Sequence, residues 1–396
     1  MAISSVCFRW RELALSSPGL WAGLTVETCT ISTARQARPF KLARFISTLD
    51  LFLERSGDWP LRLALDIRGD KEMDDSLAHL TRHSHRWRTL KLQHQKHPST
   101  AFHIFSNLQF PSLTKLDLPF LGQAGGLDHF KHSPKLRSLV GLVGNQGLEN
   151  PNNRVLFHRL HHVEFQMDHE EDLYHALRQC PSLKSLGLKR ATTFNFWSRA
   201  PPKVEGGVVW PDITSLIIGE SLVQSLVQSL QYTASNEVFL FSFPSLKELQ
   251  VERLDHLIAS LRVMPSLLHL EVDDKSPTRR FTSPTHQSPI TPHFLASLIL
   301  GRSNETLPNS LVPKLHSLCL VFYGTTFDDW AFVRVSMVES RWFKPGSNLH
   351  TTMLAMGIGC IRSVVLKFFQ RNFAVESYKP LWVLDKEGLR VTTGWG

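Results

Sequence analysis

The chain has 396 residues, 42% apolar and 20% charged, an ordinary balance for a protein with a sizeable core. Its formal net charge is +9, but the lysines and arginines are scattered without a run of five or six, so a nucleic-acid partner is not expected. Arg362 and Lys367 break the most apolar window, 351–369, so no membrane span is expected, and five separated cysteines without C-x-x-C spacing fit an intracellular, cytoplasmic or nuclear protein.

In chain order, residues 1–30 predict a small helical cap. Val6, Trp10, Leu13 and Ala14 fall at helical spacing, Ser17-Pro18-Gly19 turns the chain, and Leu20, Trp21 and Leu24 make a second apolar cluster. Thr25–Pro39 has no periodicity and reads as a loop. Phe40–Ser56 predicts an amphipathic helix with Leu42, Phe45, Ile46, Leu49 and Leu53 on one face and Gly57 as its cap. Pro60-Leu61-x-Leu63-x-Leu65-x-Ile67 alternates and predicts the first strand.

The stretch Glu170–Leu188 shows the unit that recurs. Leu173, Ala176 and Leu177 share a helix face behind the acidic Glu170, Glu171 and Asp172, where the helix dipole favours negative charge. Cys180-Pro181 stops the helix, and Leu183-x-x-Leu186-x-Leu188 follows as a short strand. One helix and one strand cannot bury both apolar faces alone.

Copies of the template lie on both sides. They are Pro111-Leu113-Leu116-Leu118, Pro134-Leu136-Leu139, Pro211-Ile213-Leu216-Ile218, Pro244-Leu246-Leu249-Val251, Pro265-Leu267-Leu270-Val272 and Pro313-Leu315-Leu318-Leu320. Versions without the proline are Trp87-Leu90-Leu92, Leu160-Val163-Phe165 and Leu295-Leu298-Leu300. Spacings of roughly twenty to thirty-three residues bracket the leucine-rich-repeat range. The predicted fold is therefore an α/β, irregular leucine-rich-repeat solenoid over 40–396, with a parallel sheet on the concave side and helices on the convex side.

Its strands should pair in sequence order as one parallel sheet. Three polar insertions interrupt the repeats, Arg190–Val209, Gln231–Ser242 and Asp274–Thr291, the last reading as a disordered loop rich in Ser, Thr and Pro. From about 325 the pattern changes to a C-terminal cap. It holds a helix at Asp328–Trp342, a strand within Cys360–Phe368, and a helix-turn-strand at Leu381–Thr393 with Gly388 at the turn.

No arrangement in the sequence carries an obvious reaction, cofactor or metal. Gly141–Gly147 lacks the lysine of a phosphate-binding loop, and no G-x-S-x-G elbow occurs. His158, His161, His162 and His169 lie near Glu164 and Asp168, but on a turn and an exposed strand face rather than converging as zinc requires. His79 and His83, four apart, lack a third ligand. A non-enzymatic binding protein is the expectation. The residues between the strand leucines should line the concave face and take a protein substrate. They are Lys115 and Asp117, His162 and Glu164, Ser185 and Gly187, Glu248, Gln250 and Glu252, and His269, Glu271 and Asp273.

Two motifs add a resemblance. Val6-Cys7-x-Arg9-Trp10-Arg11-x-Leu13-Ala14 followed by Ser17-Pro18-x-Leu20-Trp21 resembles the second half of an F-box. It is most similar to the F-box proteins of mushroom-forming fungi, in which irregular leucine-rich repeats follow. Met337-Val338-Glu339-Ser340-Arg341-Trp342 resembles an element near the C-terminus of the same proteins. The resemblance implies a substrate-recognition subunit of a cullin-type ubiquitin ligase, with Val6, Cys7, Trp10, Leu20 and Trp21 on the adaptor side. The first half of the F-box has no counterpart in the sequence, so weak adaptor binding is expected. Trp10, Leu20 and Trp21 should also pack on the first helix of the repeat domain. A repeat scaffold with no ligase link is the alternative.

Overall fold

Leucines two apart in an extended chain point to one face, and those faces are buried here along the long strands up to Phe368. The computed structural model describes residues 8–27, 38–67, 73–94, 105–118, 127–143, 153–167, 179–190, 208–209, 212–218, 241–242, 245–252, 257–262, 264–274, 290–300, 311–323, 336–369 and 378–395. Among them the chain forms two compact units, one running to Leu183 and one from Lys184 onward. The helix expected at the start of Glu170–Leu188 lies outside the described residues, as do most of the three insertions.

In the first unit six strands pair in parallel and in sequence order. They are β1 (Gly23–Glu27), β2 (Leu61–Ile67), β3 (Trp87–His94), β4 (Lys115–Leu118), β5 (Ser138–Val143) and β6 (His162–Met167). Leu63, Leu90, Leu116, Leu139 and Val163 stand side by side in this register, all fully buried. The opposite layer begins with α1 (Phe8–Leu15), α2 (Pro18–Trp21), α3 (Arg38–Arg55) and α4 (Met73–Thr81). Beyond α4 it continues largely as turns and single-turn helices filled with aromatic rings. Trp87, Phe105, Phe110 and Phe130 meet there at centroid distances of 5.1–6.4 Å.

In the second unit the parallel order is β7 (Ser185–Arg190), β9 (Ser215–Ile218), β11 (Glu248–Glu252), β12 (His269–Asp273), β13 (Ser317–Phe322), β14 (Ser363–Phe368) and β15 (Arg390–Trp395). The strands predicted after residue 325 thus join the same ladder as those before it. A helix over Lys379–Lys386, the left-handed Gly388 and β15 form the expected helix-turn-strand. The architecture is α/β and solenoid-like, one parallel strand per repeat with few helices.

Two expectations need correction, and two details are added. The segment from Thr25, read as a loop, begins in β1, because Leu24 and Val26 alternate into the core and β2 supplies a ladder. Leu298 opens no strand; β12 pairs directly with β13. Thr291 caps a helix over Pro292–Ser297 instead, accepting the Phe294 amide at 3.0 Å. Leu-x-x-Leu spacing fits a helix face as well as a repeat turn, and here the cap and Pro292 decide. The ends of two insertions are ordered, as β8 (Val208–Val209) pairs with β10 (Phe241–Ser242). His83 lies beyond the end of α4, so it shares no helix face with His79, which instead contacts Asp50 at 3.2 Å.

Two buried arginines tie turns together. Arg86 donates to the Trp59 carbonyl at 2.9 Å and to Ser56 Oγ at 2.7 Å. In the second unit Arg341, on the helix Ser336–Arg341, is 0% exposed and donates to the carbonyls of Leu298, Leu311 and Val312. It therefore clasps both ends of the segment 301–310. Ser340 completes the clasp by accepting the Leu300 amide at 3.1 Å. The Met-Val-Glu-Ser-Arg-Trp element singled out in the sequence is this clasp, with only Glu339 facing solvent.

Candidate protein-binding surfaces

The N-terminal segment is built around one tryptophan. Pro18 at the start of a single helical turn brings Trp21 back against α1, where its indole N–H donates to the Ala14 carbonyl at 2.6 Å. The ring meets Phe52 of α3 edge-on at 5.1 Å, and the Arg55 guanidinium covers its face at 4.5 Å. Trp21 thus packs on the first repeat-domain helix as expected.

Trp10 and Leu20 do not. They are 51% and 59% exposed, beside Phe8 at 75% and Leu13 at 54%. α1 is only eight residues long, and the small Ala14 is its one buried residue, so the larger side chains of the helix are left in solvent. Val6 and Cys7 lie outside the described residues. Sequence periodicity places Leu13 with the inward residues and passes over Phe8. The clue to exposure is there all the same: apolar residues occupy more than one face of a helix too short to be buried all round.

The open sheet face carries the second group. In the first unit Lys115, Ser138 and His162 form one row across β4–β6, and Asp117, Val140 and Glu164 the next. Lys91 reaches Asp117 across the ladder at 3.6 Å. Burial pushes the Asp117 carboxyl up and Lys91 opposes it, while burial pushes the His162 imidazole down and Glu164 opposes that. His162 and Glu164 therefore do lie together, half-buried on one strand.

In the second unit β11 and β12 place Glu248 beside His269, Gln250 beside Glu271 and Glu252 beside Asp273. The side chain of Glu252 lies outside the described residues. Two further positions, which sequence reasoning missed, belong to the same patch. Cys319 stands next to Glu271 on β13, and Lys367 of β14 reaches over it to Glu271 at 3.8 Å. Burial, then the Glu271 charge, pushes the Cys319 thiol up to about 11. Ser185 and Gly187 sit on β7, Gly187 buried, and extend the rows toward β9. A strand-face alternation carried through β13 and β14 would have found both residues.

Among the described residues no group of three His, Cys, Asp or Glu side chains is placed to hold a metal ion. His158 accepts from Arg154 at 3.5 Å, and His169 lies outside the described residues. No described helix is long and apolar enough to cross a membrane. No protein-family model matches the chain, and neither does any curated protein.

Proposed function

We propose that this chain is a protein-recognition subunit rather than a catalyst. In this reading the repeats are leucine-rich repeats, the open face of the strands captures a protein substrate, and the segment Phe8–Trp21 docks on a ubiquitin-ligase adaptor as an F-box does. One observation supports the docking role above the others. Phe8, Trp10, Leu13 and Leu20 stand in solvent on a segment that Trp21 holds rigidly to the body of the unit. Several exposed large apolar side chains on one short segment are a mark of interaction sites. The pairs Lys91–Asp117 and Glu271–Lys367 support a polar, charge-reading substrate face on the strands.

The test is a titration of the purified adaptor into the full chain and into the Trp10→Asp and Leu20→Asp variants. Both positions are exposed, so circular dichroism and urea midpoints should stay unchanged. Weak binding by the parent chain, lost at least tenfold in each variant, is expected. An adaptor that ignores the parent chain would remove the ligase link and leave a recognition scaffold.

A further inference from the structure

Several of the basic residues that look scattered in the sequence are brought to one edge of the fold. Each strand is entered through a buried apolar residue, and the residue after it sits on the rim where the strands begin. In the first unit those rim residues include Arg88 after Trp87, Arg137 after Leu136 and His161 after Leu160, with Thr114 between, while Arg62 stands one position further in, opposite Gly23 and Thr89. In the second they are Lys184, Lys247, His316 and Arg362, with Thr214 and Leu268 between, and Arg390 stands one position further in, opposite Ser363. None of these positions is acidic, although the chain holds 35 Asp and Glu against 44 Lys and Arg.

The second unit shows the row most completely. A backbone ladder runs along the rim from Lys184 to Thr214, Lys247, Leu268, His316 and Arg362 and ends at Arg390, with N···O distances of 2.7–3.0 Å. Adjacent strands lie about 4.8 Å apart, so the six steps span about 29 Å. Lys184, Lys247, Arg362 and Arg390 are exposed, and none of them forms an ion pair with a carboxylate among the described residues. Arg362 and Arg390 stand on neighbouring strands, where like charges cost stability. No ion pair among the described residues engages the four cations, so they are open to an anionic ligand.

We propose that this rim binds an extended acidic peptide segment, which names the substrate class for the protein-recognition reading on which it rests. The floor beside the rim decides against a nucleic acid. Glu248, Glu271 and Asp273 stand one to several residues further along the strands, where a broad polyanion would lie over them. Tyr323 and Phe369, which could stack on bases, lie at the opposite strand ends and stack on each other at 4.5 Å. An extended peptide alternates its side chains, so carboxylates can face the rim while neutral or basic residues face the floor. About nine residues cover the span at about 3.3 Å each.

The experiment uses the full chain and a fluorescein-labelled peptide of about ten residues alternating glutamate and serine, followed by fluorescence anisotropy. Saturable binding at low salt is expected, weakening steeply as sodium chloride rises. The double variant Lys247→Glu/Arg362→Glu should bind at least tenfold more weakly, and Lys247→Gln/Arg362→Gln should show an intermediate loss. Arg44→Glu, exposed in the middle of α3 in the first unit, should change nothing. Failure to saturate at low salt, or equal affinity in both rim variants, overturns the proposal. Tighter binding by a ten-nucleotide oligouridylate than by the peptide overturns the peptide assignment. Adaptor binding with no peptide binding would leave the recognition reading and remove the acidic class. Peptide binding with no adaptor binding would do the reverse to the ligase link.

Discussion

Arg341 offers the sharpest test of how the second unit is held. Its guanidinium is fully buried and serves three carbonyls, those of Leu298, Leu311 and Val312. Val312 O keeps a second donor, the Leu315 amide at 3.2 Å, whereas among the described residues the other two carbonyls depend on the arginine. Hydrogen bonds from a charged donor contribute about 1.5–3 kcal/mol each, so three amount to about 4–9 kcal/mol. Burial opposes them, since it pushes the guanidinium pKa well below its ordinary value, down to about 10. That displacement corresponds to about 3 kcal/mol against the charged form. The balance leaves a net contribution of about 1–6 kcal/mol, and Arg341→Met should lose an amount in that range in urea unfolding. Hydrogen exchange should locate the damage at the Leu300 amide and around Leu311–Leu315, because repeats contact only their neighbours. Arg341→Lys should recover less than half of the loss, since an ammonium reaches one carbonyl where the planar fork reaches three. A loss below about 1 kcal/mol for the methionine variant would refute the clasp. Full recovery by lysine would show that charge, and not the fork, is what matters.

Leu186, 0% exposed between its strand neighbours, should cost about 2–5 kcal/mol on truncation to alanine, and a loss below about 1 kcal/mol would mean the site is not core. Cys319 is half-buried on the open face and burial, with the Glu271 charge, raises its thiol to about 11, so alkylation by iodoacetamide at pH 8 should be far slower than that of a free cysteine; equal rates would contradict its burial beside Glu271. Burial lowers the pKa of His83, His129, His162 and His316, so the unfolded chain takes up protons that the folded chain refuses. Stability should therefore fall as pH drops from about 7 through the unfolded histidine value of about 6.5, and a higher urea midpoint at pH 5.5 than at pH 7 would contradict this.

Much of the strand ladder is legible in the sequence because its cause is local. A buried leucine, two residues and an alternating pair state the burial of a short strand outright, and the prolines mark where each begins. The errors come where local pattern is ambiguous. Leu295-Leu298-Leu300 has repeat spacing, but Thr291 and Pro292 upstream start a helix, and capping chemistry outweighs the leucines. β1 offers just Leu24 and Val26, too few alternations to stand out before β2 supplies hydrogen bonds. Arg341 is visible only as part of a family-like motif. Its role needs the carbonyls of residues about thirty to forty positions earlier, which no sequence window contains.

The binding surfaces divide along the same line. Which strand residues share the open face follows from period-two alternation, so the sequence pattern alone groups His162 with Glu164, and Glu248 and Gln250 with His269 and Glu271. What faces them across the ladder does not follow from it, because Lys367 meets Glu271 over an intervening strand, forty-eight positions after Cys319 on that strand. The rim is the extreme case. Basic residues at a little over half of the rim positions, twenty or more positions apart along the chain, are invisible to any search for charge runs. Parallel stacking converts those long sequence intervals into one to three steps of about 4.8 Å, so Arg362 and Arg390 stand within the Debye length of about 8 Å at physiological salt and the lysines follow at about 10–14 Å. Charges that are independent along the chain therefore act together on a ligand. In a solenoid, net charge per window understates the field, and charge per repeat position is the quantity that an extended partner reads.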